Sequence, residues 1–168
     1  MSSQSKLDTY PLARGVIDSV RLNLCHFIWK KSFPWVVHPS VSLEGRPNLR
    51  IADIGCGTGY ALQQFVHLNV SQSKRPLTES NPSIWLLEAA EDYPNAEALE
   101  GLDIALHQAP PEHLLPDNVR FKYLDLQEEL PSGFVGRYDL VHARFLLGLV
   151  KNNDPVPILQ NLLKLLST

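Results

Sequence analysis

The stretch Leu49–Phe65, LRIADIGCGTGYALQQF, decides how the chain is read. Leu49–Ile54 is an apolar run of strand length with Asp53 near its end, and it runs into Gly55, Gly57 and Gly59. Glycines at alternate positions let backbone amides approach a ligand closely and reach positive φ. A dinucleotide fingerprint would read G-x-G-x-x-G with no acid before it. Here the third glycine comes one residue early, and Asp53 stands two residues ahead of the first. An acid there repels a pyrophosphate and favours a cationic group. Cys56, between two of the glycines, reads as a small side chain that fits the turn and not as a reactive thiol.

Downstream, ALEGLDIA (98–105) reads as a second strand with Asp103 close to its C-terminal end. VRFKYLDL (119–126) reads as a third, in which Val119, Phe121 and Tyr123 alternate with Arg120, Lys122 and Leu124. YDLVHARFLLGLV (138–150) is a fourth strand passing into an apolar helix or loop. HQAPPEHLLPDN is irregular, because its three prolines remove donors and fix φ. NDPVPILQNLLKLLST then opens a helix with Asp154 as N-cap and Pro155 at the first helical position. Upstream, PLARGVIDSVRLNLCHFIWKK (11–31) carries Val16, Val20, Leu24, Phe27 and Ile28 at helical spacing and ends in lysines that suit a helix C-terminus. Residues 1–48 are thus an N-terminal helical segment, and 49–168 alternate strands with helices, which predicts a parallel α/β sheet.

With 168 residues and 44% hydrophobic content, the chain holds material for one core. A net charge of −3 offers no broad basic surface, so nucleic acid is not expected as a partner. The polar start Met1–Ser5 lacks an apolar h-region, and no apolar run reaches the roughly 18 residues of a membrane span. Cys25 and Cys56 have neither metal spacing nor the count of a disulfide framework. The expectation is a soluble, cytoplasmic protein without a metal or a membrane partner.

The pattern D-x-G-x-G-x-G at 53–59 resembles motif I of the class I S-adenosylmethionine-dependent methyltransferases, a Rossmann-like α/β fold. RLNLCHFIWK, YDLVHARFLLGLV and NNDPVPILQNLLKLL look like one fungal group of them, the secondary-metabolism methyltransferases related to LaeA. The resemblance implies S-adenosylmethionine as cofactor, whose ammonium and sulfonium suit Asp53. It places Gly55, Cys56, Gly57 and Gly59 against the cofactor, Asp53 at its methionine end, Asp103 on the ribose, and Asp125 with Leu126 on the adenine. It implies a partial parallel sheet in the order 3-2-1-4 and methyl transfer to an oxygen or nitrogen of a small-molecule acceptor in fungal secondary metabolism. A non-catalytic remnant or a regulator of secondary metabolism is the alternative, and some relatives of this fold catalyse pericyclic steps instead. A nicotinamide oxidoreductase comes last, opposed by Asp53 and the glycine spacing.

An oxygen acceptor needs a general base. His142, at the end of the fourth strand, is the base candidate with a positional argument, although a packed or hydrogen-bonded structural histidine is the reading favoured over it. His26, His38, His67, His107 and His113 have no such case. Arg144 reads as a surface or helix-end charge, with an acidic substrate as the other reading; WKK and QEE read as solvated faces.

Two departures from the family pattern stand out. Asp103 follows Gly59 by 44 residues (103 − 59), where about 20 is usual. Removing Tyr60–Ser83, 24 residues, restores the spacing and joins GCGTG to the apolar run that begins at Ile84. This atypical insertion (60–83) is either a translated intron or a loop insertion, and its ALQQFVHL could form a short substitute helix. The family's chain also continues beyond NLLKLL with a Pro-Gly-Gly turn, a fifth strand and an antiparallel pair. The expectation is therefore a C-terminally truncated domain with an open sheet edge and a thinly covered helix face at Ile158, Leu159, Leu162, Leu163 and Leu166. Such a chain would self-associate and transfer methyl groups poorly.

Overall fold

A computed structural model describes residues 16–57, 84–106 and 109–167. Its elements in chain order are α1 (Val16–Ser32), β1 (Arg50–Ile54), α2 (Ile84–Asp92), β2 (Ala98–Asp103), β3 (Val119–Tyr123), β4 (Leu140–Ala143) and α3 (Val156–Leu165). The four strands form one sheet in the order β3-β2-β1-β4. Every pairing is parallel, as the alternation of strands and helices predicts. Gly59, the block Tyr60–Ser83 and its expected substitute helix lie outside the described residues.

β1 is apolar because it is central and covered on both faces. Leu49 and Ile51 meet Leu99, Val119 and the α2 residues Trp85, Leu86, Ala89 and Ala90. That spacing is one stripe of a helix. Ala52 and Ile54 point the other way, to Leu102, Leu124, Leu126, Tyr138 and the α3 residues Ile158 and Leu165. The segment before β1 joins the first core through Leu43, with Val36 and Val37 packed against it. α3 starts as expected: Pro155 is already helical (φ −82°), and the Asp154 carboxylate accepts the Val156 N–H at 3.0 Å.

Several details differ from the sequence reading. β2 ends at Asp103 and β3 at Tyr123, each short of the expected span. Beyond the edge strand β3 the chain turns away, so Tyr123 is 58% exposed and Leu124 is buried in the second core, the reverse of the expected alternation. After β4 the apolar run folds as a 3-10 turn, Leu146–Leu149. α1 forms where helical spacing puts it, but of the described side chains on that stripe Leu24, Phe27 and Ile28 are exposed while His26 is buried. The helix meets α2 through polar groups, with His26 and Lys30 both reaching Glu88. On α3, Leu159 and Leu163 are exposed while Ile158 is buried. After α3 the chain returns to the sheet, where Leu166 bridges Tyr138 in parallel and the Ser167 N–H donates to the Tyr138 carbonyl. Tyr138 donates its own amide to Leu165 while Asp139 donates to Arg50 at the start of β1, so this return runs along the outer side of the β4 segment.

One buried charge holds the middle of the sheet. Glu100 on β2 is 3% exposed. It accepts hydrogen bonds from Tyr138 Oη (2.6 Å), Lys122 Nζ (2.7 Å) and Arg137 Nη2 (2.8 Å). Burial alone would raise its pKa, but the donors Arg137, Lys122 and Tyr138 outweigh it and hold the carboxyl at about 2, against 4.5 ordinarily. A depressed carboxyl pKa stabilises the fold fully above 4.5, and that stabilisation is lost as pH falls towards about 2. Urea unfolding at neutral pH should therefore show Glu100→Gln less stable by about 1.5–3 kcal/mol, the worth of a hydrogen bond to a charged group. The gap should close near pH 2; a gap independent of pH would refute this account of Glu100.

Candidate functional site

The turn after β1 is held by Asp103. The Gly57 N–H donates to its Oδ2 at 3.0 Å and the Ala105 N–H to its Oδ1 at 2.9 Å. Gly55 donates to the Leu102 carbonyl at 2.8 Å. Gly55 and Gly57 both lie at φ +64°, the left-handed region that favours glycine. A Cβ on Gly55 would meet Leu146 at an ordinary 3.4 Å, so backbone conformation and not space requires glycine there. Gly101 on β2 is the opposite case. A Cβ there would lie 2.5 Å from the Phe121 ring and 3.1 Å from Cys56 Sγ. The Cys56 side chain thus occupies a packing position beside the sheet. Burial, with Asp53 and Asp103 nearby, pushes its thiol pKa well up, away from the reactive thiolate.

Asp53 lies opposite His142 in the parallel register of β1 and β4. Its Oδ1 is 2.7 Å from His142 Nδ1. A carboxylate only accepts, so Nδ1 carries the hydrogen and a neutral ring keeps its lone pair on Nε2. The imidazole stacks on Trp85 of α2 at 3.8 Å and 5°. Trp85 in turn donates its indole N–H to the Val36 carbonyl at 3.0 Å. His142 is both oriented and packed, and Asp53, 3% exposed, has a partner that sequence reading did not foresee.

Asp125 lies in the turn just past β3, where its Oδ1 accepts the Gln127 N–H at 2.9 Å. Leu126 beside it buries its side chain in the second core and gives its carbonyl to Asn161. Asp53, Asp103 and Asp125 therefore sit at or just beyond the C-terminal ends of three parallel strands. Among the described residues, no group of three His, Cys, Asp or Glu side chains is placed to hold a metal ion. None of their helices is long and apolar enough to cross a membrane.

A second feature escaped the sequence reading. An open cavity of about 500 Å³ is walled by Trp29, Phe33, Trp35, Trp85 and Phe145, with Lys30, His38, His142 and Arg144 as its charged or titratable neighbours among the described residues. The rings follow one another edge to edge or tilted: Trp29 to Phe33 at 4.9 Å, Phe33 to Trp35 at 6.3 Å, Trp29 to Phe145 at 6.5 Å. Phe145 adopts φ +57°, a conformation that costs a bulky residue about 1–2 kcal/mol. Arg144 is not the surface charge expected but half-buried, with Nη2 at 3.1 Å from His26 Nδ1. His26 Nε2 lies 3.3 Å from Glu88, whose other oxygen pairs with Lys30 at 3.1 Å. Burial is the main effect lowering the pKa of both His26 and Arg144. The available signal was the aromatic density of HFIWKKSFPW, which helical periodicity alone assigns to a helix face and a loop.

The chain is similar in sequence to known proteins over most of its length. No protein-family model matches the chain. It is 27% identical to the N-methyltransferase tcpN of Claviceps purpurea, over 90% of this chain and 45% of that protein. It is 27% identical to the methyltransferase grgD of a Penicillium species, over 98% of this chain and 51% of that one. It is 30% identical to the secondary metabolism regulator laeA of Aspergillus niger, over 84% of this chain and 30% of the regulator. The chain spans about half or less of the length of these relatives.

The close packing at Gly101 is open to a direct check. Gly101→Ala should lower stability by about 1–3 kcal/mol, the usual cost of overpacking, in denaturant unfolding. Combining it with Phe121→Leu should recover part of that loss, whereas strict additivity would mean that the ring is not the obstacle.

Proposed function

The chain belongs with the LaeA-like fungal methyltransferases, and from that premise we propose that it binds S-adenosylmethionine and methylates an oxygen or nitrogen of a small molecule in fungal secondary-metabolite biosynthesis. We place that activity in the cytoplasm. The observation that carries the reading is the set of three acids at one sheet edge, around a turn whose two described glycines lie at positive φ. That edge is electronegative and suits a cationic cofactor better than a pyrophosphate.

The residues present fit this cofactor. Asp103 stands at the end of β2 with its carboxylate against the glycine turn, accepting from the Gly57 and Ala105 amides, which makes it the candidate for the ribose. Asp125, with Leu126, is the candidate for the adenine amino group. Gly55, Cys56, Gly57 and Gly59 give the backbone approach, and Asp53 contributes negative charge at the methionine end. When bound, S-adenosylmethionine supplies a methyl group on a positively charged sulfur. His142 Nε2 takes the proton from the acceptor hydroxyl or amine as it attacks. Asp53 keeps the ring in that tautomer and stabilises the imidazolium that forms. The open aromatic cavity beside His142 offers flat apolar walls that orient the acceptor's approach.

Calorimetry with S-adenosylmethionine should show binding, weakened in Asp103→Ala by about 1.5–3 kcal/mol. His142→Gln should leave that affinity nearly unchanged while slowing transfer to an oxygen acceptor by about 10²–10⁴-fold. Affinity for a nicotinamide dinucleotide with none for S-adenosylmethionine reverses the assignment.

A further inference from the structure

We propose that Arg144 anchors an acidic group on the acceptor, so that the cavity takes a flat aromatic carboxylic acid. This deepens the proposed function, since it rests on the cavity beside His142 being the acceptor's place.

Arg144 carries five N–H donors and spends one of them, on His26. Half-burying a guanidinium costs free energy that a carboxylate normally offsets. Among the described residues no carboxylate lies within ion-pair distance of it. The acids nearby are engaged elsewhere, Asp53 with His142 and Glu88 with His26 and Lys30. The arginine is nonetheless aimed. A guanidinium only donates, so His26 Nδ1 accepts from Arg144 and the ring hydrogen is on Nε2, which lies 3.3 Å from Glu88. The chain Glu88–His26–Arg144 thus fixes the guanidinium at the cavity wall, with His26 as its positioning residue.

The cavity's other walls state the rest of the ligand. Among the described residues its lining contains two cationic side chains, Lys30 and Arg144, and no acidic one. Its apolar surface is made of flat rings, and one of them, Phe145, is held there at the cost of a left-handed backbone. Strain of this kind points to a functional position. A volume of about 500 Å³ is within the range of small-molecule sites. A planar ring bearing a carboxylate satisfies the rings and the unspent guanidinium donors together.

The test is binding of two matched probes, 1-naphthoate and 1-naphthamide, followed by tryptophan fluorescence on the full chain. The wild type should bind the acid about tenfold or more tightly than the amide, as a charge-assisted hydrogen bond requires. Arg144→Gln should abolish that preference, and Arg144→Lys should retain part of it. Phe145→Asn, which tolerates the left-handed backbone, should weaken both probes alike. Equal affinity for the two probes, affinity for neither, or a preference that survives Arg144→Gln overturns the proposal. Titration with S-adenosylmethionine is read separately. Cofactor binding without acid preference leaves the methyltransferase reading standing, and acid preference without cofactor binding removes only that reading.

Discussion

The hydrogen bond between Asp53 and His142 ties together the parts on which the site depends. It joins register partners on two adjacent parallel strands at 2.7 Å, close to where both strands end. A buried carboxylate must be hydrogen-bonded to be tolerated, and the histidine meets that need. The histidine ring is then fixed in plane and gives Trp85 a surface to stack on. Trp85 carries the constraint into α2, and its indole N–H carries it on to Val36, in the segment before β1. One polar contact therefore aligns two strands, a helix and a loop along a single wall of the cavity.

The two faces of the sheet divide the work. On the α3 side, Glu100 gathers Lys122, Arg137 and Tyr138 and fastens β2 to β3 and to the approach of β4. None of these four residues lines the cavity. On the α2 side, the first core thins towards the C-terminal ends of the strands, and polar side chains replace apolar ones. β1 is the switch point, because β2 and β3 follow on one side of it and the chain then crosses back to place β4 on the other. Open α/β sheets bind ligands in the crevice at such a reversal. The glycine turn follows β1 there, and His142 and Arg144 follow on β4 and just past it.

What was legible in the sequence is what local pattern controls. Apolar runs gave four strands, glycine spacing gave the turn, and the resemblance gave the strand order. Asp103 could be placed because it ends a strand of its own. The contacts that remained illegible join residues far apart in the chain. His26 meets Arg144 across 118 positions and Asp53 meets His142 across 89. On α1, periodicity favoured Leu24, Phe27 and Ile28, yet the buried residue is the histidine, because the surface it meets offers Glu88 and Arg144. Glu100 carried a visible signal, a lone acid within the apolar run ALEGLD, but its partners lie 22 to 38 residues further on. For β3, edge position overrode alternation, which a sequence reading in isolation cannot weigh.

The way α1 is held has a consequence for the cavity it roofs. α2 buries Trp85 and Leu86 almost completely, and full burial of a large apolar side chain is worth about 1.5–3 kcal/mol. Among the described side chains, α1 touches α2 through His26 and Lys30 on one glutamate, and the Lys30–Glu88 pair is about a quarter exposed on each side. Pairs of that exposure contribute about 0–1 kcal/mol. Elements attached by few buried apolar contacts lie at the low end of a protein's local stability, where binding loops and lids are found. Trp29 and Phe33 belong to the C-terminal half of α1 or its end, whose described contacts with α2 are polar, whereas Trp85 and His142 belong to the firmly packed sheet layer. The cavity is therefore built with one fixed wall, carrying the oriented histidine, and one aromatic wall whose attachment depends on the same Glu88–His26–Arg144 chain that aims the guanidinium.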